Sequence, residues 1–515
     1  MAVNRSSAGA QSDARVGSDD GDGGRVSTGV AGLDVVLGGG LLPQGFYLLQ
    51  GDPGSGKTTI ALQFARSCVA RGESILYVSL SESRQDLERT VRSHGWSFDG
   101  IMLLDLSKEE SEAADPNQQN TLFYPAEIEL GQTIHAILDE IERVRPRCIV
   151  FDGLSELRML AGDSFTYRRQ VLALKNYFEA RKITVLLLDD RTIRLGESQP
   201  ETLVGGSILL ERSLPGYGGA RRRLCVTKVR GAGFRSGYHD YDIVEGAGVV
   251  VHPRLIATQT AAPERDVFVS GVPGLDKMMG GGLQTGTTTL LLGPAGVGKS
   301  TISMQYVASA LLRGVPSAVY TFDEVLETLF ERTEKLCFQG VREYVESGLL
   351  HARQVNPAEL SPGGFASDVQ RLVNEEGVRI VVIDSLNGYI SAMPEERFLE
   401  TNLHELFAYL NQRGIVTILV VAQHGFLGSD MRSIDVSYLA DSVLLMRYFE
   451  AGGEILQALS VVKKRNGYHE RTLRQLRITE EGLSVGEPLH SFRGIMTGVP
   501  EYLGSEPILM DEQNR

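Results

Sequence analysis

Cysteine is scarce in this chain. Four occur in 515 residues, at Cys68, Cys148, Cys225 and Cys337, and no two form a C-x-x-C pair. Such spacing argues against a zinc ribbon or a disulfide framework and predicts scattered, buried thiols in a reducing cytoplasm. Long apolar runs are missing as well. No stretch approaches the roughly 20 residues that a membrane span needs, and the first residues hold no apolar segment of the secretory type. Positive charge is in deficit: the formal net charge is −14. A nucleic-acid binder needs a surplus of Lys and Arg on some face, so nucleic acid is not expected as the main partner. The one dense basic run, Arg221 to Arg223, flanks a strand and reads as a solvated edge.

What is present is ordinary in bulk and unusual in pattern. Apolar and charged contents of 42% and 23% suit a globular protein, and the length exceeds what one core supports. The chain repeats itself. GDPGSGKT from Gly51 to Thr58 returns as GPAGVGKS from Gly293 to Ser300. Both fit G-x-x-x-x-G-K-[ST], a loop that turns backbone N–H groups onto phosphates. Its lysine reaches the outer phosphates and the following hydroxyl ligates Mg²⁺. The offset of 242 from Lys57 to Lys299 also relates Asp34 to Asp276, Gly40 to Gly282 and Glu82 to Glu324. Repetition on that scale means a duplicated domain rather than a solenoid.

Apolar strand-like runs alternate with helix-period stretches in each half. Phe46–Gln50, Ser74–Leu80, Arg147–Asp152 and Thr184–Asp190 are the first set. Thr288–Gly293, Ser317–Phe322, Arg379–Asp384 and Thr417–Gln423 are the second. The pattern predicts an α/β protein of two tandem P-loop NTPase domains, each a mostly parallel sheet with helices on both faces. Hairpin-like strands close each half. The expected organisation is a disordered lead over 1–24, a first ATPase domain over 25–252 and a linker over 253–266. A second ATPase domain over 267–485 and a mobile tail over 486–515 complete it.

Within that frame the nucleotide-binding candidates are Gly54, Ser55, Gly56, Lys57, Thr58 and Thr59, then Gly296, Val297, Gly298, Lys299, Ser300 and Thr301. Magnesium needs a second acid at the end of a neighbouring strand, and Asp152 and Asp384 each end an apolar run. With Thr58 and Ser300 they form the expected metal sets. Hydrolysis also needs a group to orient or deprotonate the nucleophile. Glu82 and the pair Asp323 and Glu324 follow the next strand, on the edge that faces the ligand crevice. Charge on the transferred phosphoryl calls for a further cation. Lys228 and Arg230, and likewise Lys463 and Arg465, share one side of a late strand and could reach a neighbouring subunit's nucleotide.

Taken together, these residues resemble the KaiC family of RecA-like ATPases, over roughly residues 25–485. The motifs RSHGW at Arg92 to Trp96 and GYH at Gly467 to His469 add to the resemblance. It implies a two-tiered homohexamer with ATP between subunits, hydrolysis in the first tier, and autokinase and dephosphorylation activity in the second. By position, Lys57, Thr58, Glu82, Lys228 and Arg230 would serve the first site. Lys299, Ser300, Asp323, Glu324, Lys463, Arg465 and His469 would serve the second. Two departures stand out. Ser81 replaces one carboxylate of the first domain's pair, and the family's phosphorylated Ser-Thr pair falls on Ser437 and Tyr438. The family's partner-docking tail is not recognisable in 486–515, so a regulatory protein partner stays unidentified. The alternatives are a RecA/RadA-like DNA-dependent ATPase and a scaffold that binds ATP without turnover.

Overall fold

The computed structural model describes residues 24–107, 125–191, 200–216, 218–256, 266–336, 338–356, 358–391, 398–423, 438–497 and 500–503. Two compact units emerge: residues 1–209 with 226–236, and residues 210–225 with 237–515.

The first nine strands are β1 (Phe46–Gly51), β2 (Ile75–Ser79), β3 (Ile101–Asp105), β4 (Cys148–Asp152), β5 (Thr184–Asp190), β6 (Gly206–Ser213), β7 (Arg221–Val229), β8 (Tyr238–Val244) and β9 (Gly248–His252). They form one sheet in the order β3-β2-β4-β5-β1-β6-β7-β8-β9. From β3 to β1 the strands run parallel, and β7 to β9 are antiparallel. The short strands β10 (Val267–Phe268) and β11 (Leu283–Gln284) pair with each other. A second sheet then repeats the first, with β12 (Thr288–Gly293), β13 (Ser317–Thr321), β14 (Leu350–Gln354), β15 (Ile380–Asp384) and β16 (Val416–Ala422). It continues through β17 (Ser442–Ala451), β18 (Glu454–Lys464), β19 (Arg474–Thr479) and β20 (Gly482–Pro488). Its order, β14-β13-β15-β16-β12-β17-β18-β19-β20, is the same permutation. The chain thus carries two RecA-like α/β sheets.

The central strands β1, β2 and β4 are buried at every residue. Helices cover both faces of such strands, which explains why they read as unbroken apolar runs instead of alternating ones. The edge strands β3 and β14 are buried only at their first residue. Sequence reading missed both, because half-exposed edges carry no continuous run. It also missed the helix Leu154–Ala161 and the strands β8, β9, β19 and β20. Within the span expected as a tail, β21 (Phe492–Arg493) pairs with β22 (Glu501–Tyr502). Residues 1–23 and most of the expected linker, 257–265, lie outside the described residues.

The repeat carries a Gly-Leu-Asp motif at Gly32 to Asp34 and Gly274 to Asp276, and a triple glycine at Gly38 to Gly40 and Gly280 to Gly282, and both are structural. Asp34 accepts hydrogen bonds from Thr28 N at 2.8 Å and Thr28 Oγ1 at 2.6 Å. Asp276 does the same for Ser270 N at 2.7 Å and Ser270 Oγ at 2.8 Å. A Cβ on Gly40 would lie 2.5 Å from the Val26 carbonyl oxygen, and one on Gly282 would lie 2.4 Å from that of Phe268. Both glycines also have positive φ, so no other residue fits there. These motifs fasten the segment ahead of each phosphate loop.

Candidate active site

Each phosphate loop joins a buried strand to a helix whose first residue is the loop lysine, Lys57 or Lys299. The preceding glycines, Gly54 and Gly56 or Gly296 and Gly298, all have positive φ. The helix N-terminus leaves backbone N–H groups without intrahelical partners, which suits an anion. Ser55 is buried in the first loop. Val297, its counterpart, belongs to the apolar core, so only its backbone remains for a phosphate. Thr59 and Thr301 are also buried.

In the first unit, Lys57 Nζ donates to the carbonyls of Gly51 at 2.8 Å and Asp52 at 3.2 Å. It also pairs with Asp190 at 2.7 Å. Thr58 Oγ1 donates to Glu82 Oε1 at 3.1 Å. The parallel register sets Ser79 of β2 beside Asp152 of β4, so the turn that carries Glu82 and the strand-end acid share one edge. Ser79 Oγ fixes that turn, donating to the Glu82 carbonyl at 2.6 Å and accepting from Glu82 N at 3.1 Å. Ser83 then caps the helix Arg84–Ser93, accepting from Asp86 N. Burial pushes the Glu82 carboxyl up, against the pull of the Thr58 hydrogen bond. Burial pushes Asp152 up to about 7, while a hydrogen bond from Tyr77 pulls it down. Tyr77 OH donates to Asp152 Oδ2 at 2.7 Å.

The second unit uses the same frame with different partners. Lys299 is buried and donates to the carbonyls of Gly293 at 2.9 Å and Pro294 at 2.6 Å. Burial lowers its pKa, and nearby Asp384 opposes that shift. Asp384 is raised by burial and lowered by a hydrogen bond from Ser300. Thr321 Oγ1 repeats the role of Ser79, donating to the Glu324 carbonyl at 2.8 Å. Glu324 itself is gripped by Arg332, whose Nη1 and Nη2 donate to Oε1 at 2.7 Å and Oε2 at 2.8 Å. Asp323 accepts from Ser385 Oγ.

Lys228 Nζ donates to the Glu201 carbonyl at 2.9 Å and Arg230 Nη2 to the Thr202 carbonyl at 3.5 Å. Arg465 donates to the Tyr438 carbonyl at 2.8 Å and pairs with Asp441 at 3.4 Å. Lys463 lies on β18, opposite Val443. His469 is half-buried and Tyr438 exposed, whereas Ser437 lies outside the described residues.

Sequence reading missed Tyr77, Asp190, Arg332 and Ser385. Only the shared hydroxyl at Ser79 and Thr321, related by the repeat offset, left a signal that could have been read. Arg332 is a positioning residue, since a bidentate guanidinium holds a carboxylate in one plane. Hydrogen bonds to charged groups are worth about 1.5–3 kcal/mol. Arg332→Ala is therefore expected to slow turnover at the second site roughly 10- to 100-fold. Phosphate release in a Glu82→Gln background, with KM measured beside kcat, checks this. Arg332→Lys should recover part of the loss.

A family model described as "ATPase: KaiC" matches residues 26–256 and again residues 268–490. The chain is 24% identical over 497 residues to the circadian clock protein KaiC3 of a Synechocystis species, covering 94% of this chain and 96% of that protein. It is 23% identical over 490 residues to the circadian clock oscillator protein KaiC of Prochlorococcus marinus, covering 94% and 96%. The corresponding protein of Thermostichus vulcanus is 24% identical over 488 residues, with 92% of each chain covered. No helix among the described residues is long and apolar enough to cross a membrane.

Proposed function

Because the chain belongs to the KaiC family of ATPases, we propose that it works as a cytoplasmic homohexameric ring whose two tiers both turn over ATP. The second tier also transfers a phosphoryl group to its own Ser437. The observation that carries this reading is the duplication of the whole constellation: loop lysine, adjacent hydroxyl, strand-end acid and turn carboxylate recur on both sheets.

The donor sets fit Mg·ATP. Thr58 with Asp152, and Ser300 with Asp384, offer only hard oxygen ligands, which Mg²⁺ prefers. Bound there, the ion would neutralise phosphate charge. The protein's own groups do the rest. Lys57 and Lys299 leave their loop carbonyls for phosphate oxygens, and Lys57 must also part from Asp190. Glu82 orients the attacking water in the first tier. In the second, Glu324 takes the Ser437 hydroxyl proton, the Ser437 Oγ–phosphorus bond forms, and the bond from phosphorus to the ADP oxygen breaks. Lys228, Arg230, Lys463 and Arg465 would serve the neighbouring subunit's nucleotide, with His469 joining the second-tier pair.

Phosphate at Ser437 adds about two negative charges next in sequence to Tyr438, whose carbonyl Arg465 holds. That change could alter binding of a regulatory protein partner, in signalling or clock-type control. Incubation with γ-labelled ATP followed by peptide mapping tests the kinase step. Label is expected on Ser437 and absent from Ser437→Ala. Equal labelling of both proteins, or label on neither, removes the claim.

A further inference from the structure

Cys68 and Cys148 are 80 residues apart, and their spacing pointed to isolated thiols. The fold joins them. Cys68 lies in the last turn of the phosphate-loop helix Lys57–Ala70, and Cys148 opens β4. The chain leaves that helix through Arg71 and Gly72 and reaches Glu73 just ahead of β2, whose first residue, Ile75, pairs with Cys148. One ligand atom from each of Cys68, Glu73 and Cys148 lies within 4.8 Å of the other two. Cys148 Sγ is 3.7 Å from Glu73 Oε2. Both cysteines are buried, whereas the side chains of Glu73 and Arg71 keep 28% and 29% exposure and form a salt bridge of 2.8 Å. Arg71 Nη2 also donates to Cys68 Sγ at 3.3 Å. The cluster therefore has solvent access on the Arg71–Glu73 side.

The plain alternative is that the two cysteines only fill space, and the molecule contains its own control. At the repeat offset, Cys68 becomes Ala310 and Glu73 becomes Val315. Ile380 opens β15 as Cys148 opens β4. Ala310 and Ile380 are fully buried. Packing in this fold needs only hydrocarbon at these three places, yet in the first half all three carry ligating atoms. Arg71 is retained as Arg313, where it lies over the ring of Phe268.

We propose that Cys68 Sγ, Cys148 Sγ and Glu73 form a site for a thiophilic divalent cation of the zinc type, with water as fourth ligand. Zinc–sulfur bonds of about 2.3 Å in a tetrahedron place ligand atoms about 3.5–3.8 Å apart, which Cys148 Sγ and Glu73 Oε2 already match at 3.7 Å and the other two pairs approach within 4.8 Å. The charges balance. Two S–H protons leave as the ion enters, and two thiolates and one carboxylate face Zn²⁺ and the Arg71 guanidinium, for a net charge of zero. Thiolate ligands do not suit Mg²⁺, so this site is separate from those of the nucleotide. Occupied, it staples the far end of the helix that starts at Lys57 to the strand that ends at Asp152.

The test uses the full chain, reduced, freed of metal by a chelator and without nucleotide, with Co²⁺ as the probe. One equivalent per chain is expected to produce thiolate-to-cobalt charge-transfer absorption, which Zn²⁺ then bleaches. Zn²⁺ should also shield Cys68 and Cys148 from alkylation, as read by mass spectrometry. Cys68→Ala, which copies Ala310, should lose the band while keeping its circular dichroism spectrum, and Cys225→Ser should keep both. Glu73→Val, which copies Val315, should weaken Co²⁺ binding yet retain the thiolate band. Absence of the band in the native chain, its survival in Cys68→Ala, or a Cys68–Cys148 disulfide as the only change seen would each overturn the proposal.

Discussion

Glu82→Gln and Glu324→Gln are each expected to silence one site while ATP still binds there. The amide is nearly isosteric, and its oxygen can still accept from Thr58 Oγ1 or from Arg332, so the turn should hold its shape. What disappears is a group able to take a proton. General-base assistance contributes about 10²–10⁴ in rate, and loss on that scale at one site should leave the other site's share of turnover. Burial raises the Glu82 carboxyl, which makes it a better base than an exposed glutamate. The two sites are not equivalent in their partners: Glu82 accepts from the loop hydroxyl, while Glu324 is held by a guanidinium. Phosphate release separates the outcomes, with fluorescent-nucleotide titration to confirm binding. Ser437 labelling should vanish in Glu324→Gln alone. Unchanged phosphate release in both variants would remove the catalytic assignment, and negligible release from the native chain would favour an ATP-bound scaffold.

A comparable loss is expected from Arg230→Ala at the first tier and Arg465→Ala at the second. Cations supplied to a transferring phosphoryl group are worth roughly 10³–10⁵ in rate. In the present structure Arg230 reaches the Thr202 carbonyl and Arg465 the Tyr438 carbonyl. These contacts leave both guanidinium groups on exposed strand ends, suited to serving another chain. Mixing distinguishes service in trans from service in cis. Chains with Arg230→Ala hold an intact Lys57, and chains with Lys57→Ala hold an intact Arg230. Co-assembled, they should regain first-tier turnover at the mixed interfaces, although each lacks it alone. A mixture as inactive as its parts would mean that the cation serves its own subunit's nucleotide. Mass measurement of the assemblies with and without ATP accompanies the assay.

Several parts of the site were legible without coordinates because they are local. Eight consecutive residues suffice to fold a phosphate loop, and four apolar residues ending in an acid suffice to deliver Asp152 or Asp384 to a strand terminus. The repeat offset then made each half a check on the other. Errors fell where burial is partial. Strands β3 and β14 sit at sheet edges and lack the continuous run that marks β2 and β4. Hydroxyls such as Ser79 and Thr321 act through backbone atoms three residues away, a range that sequence does encode.

From its residues alone, the chain determined that it folds as a duplicated nucleotide-binding α/β protein and where each loop, acid and turn carboxylate lies. The tertiary structure alone decided what those groups touch. Tyr77 meets Asp152 because β2 and β4 are neighbours in the sheet although β3 separates them in sequence. Ser385 meets Asp323 for the same reason in the second sheet, and Cys68, Glu73 and Cys148 converge where the helix after β1 ends beside that strand pair. Backbone conformation depends on a few adjacent residues, whereas contacts between side chains depend on strand order, which packing of the whole sheet selects.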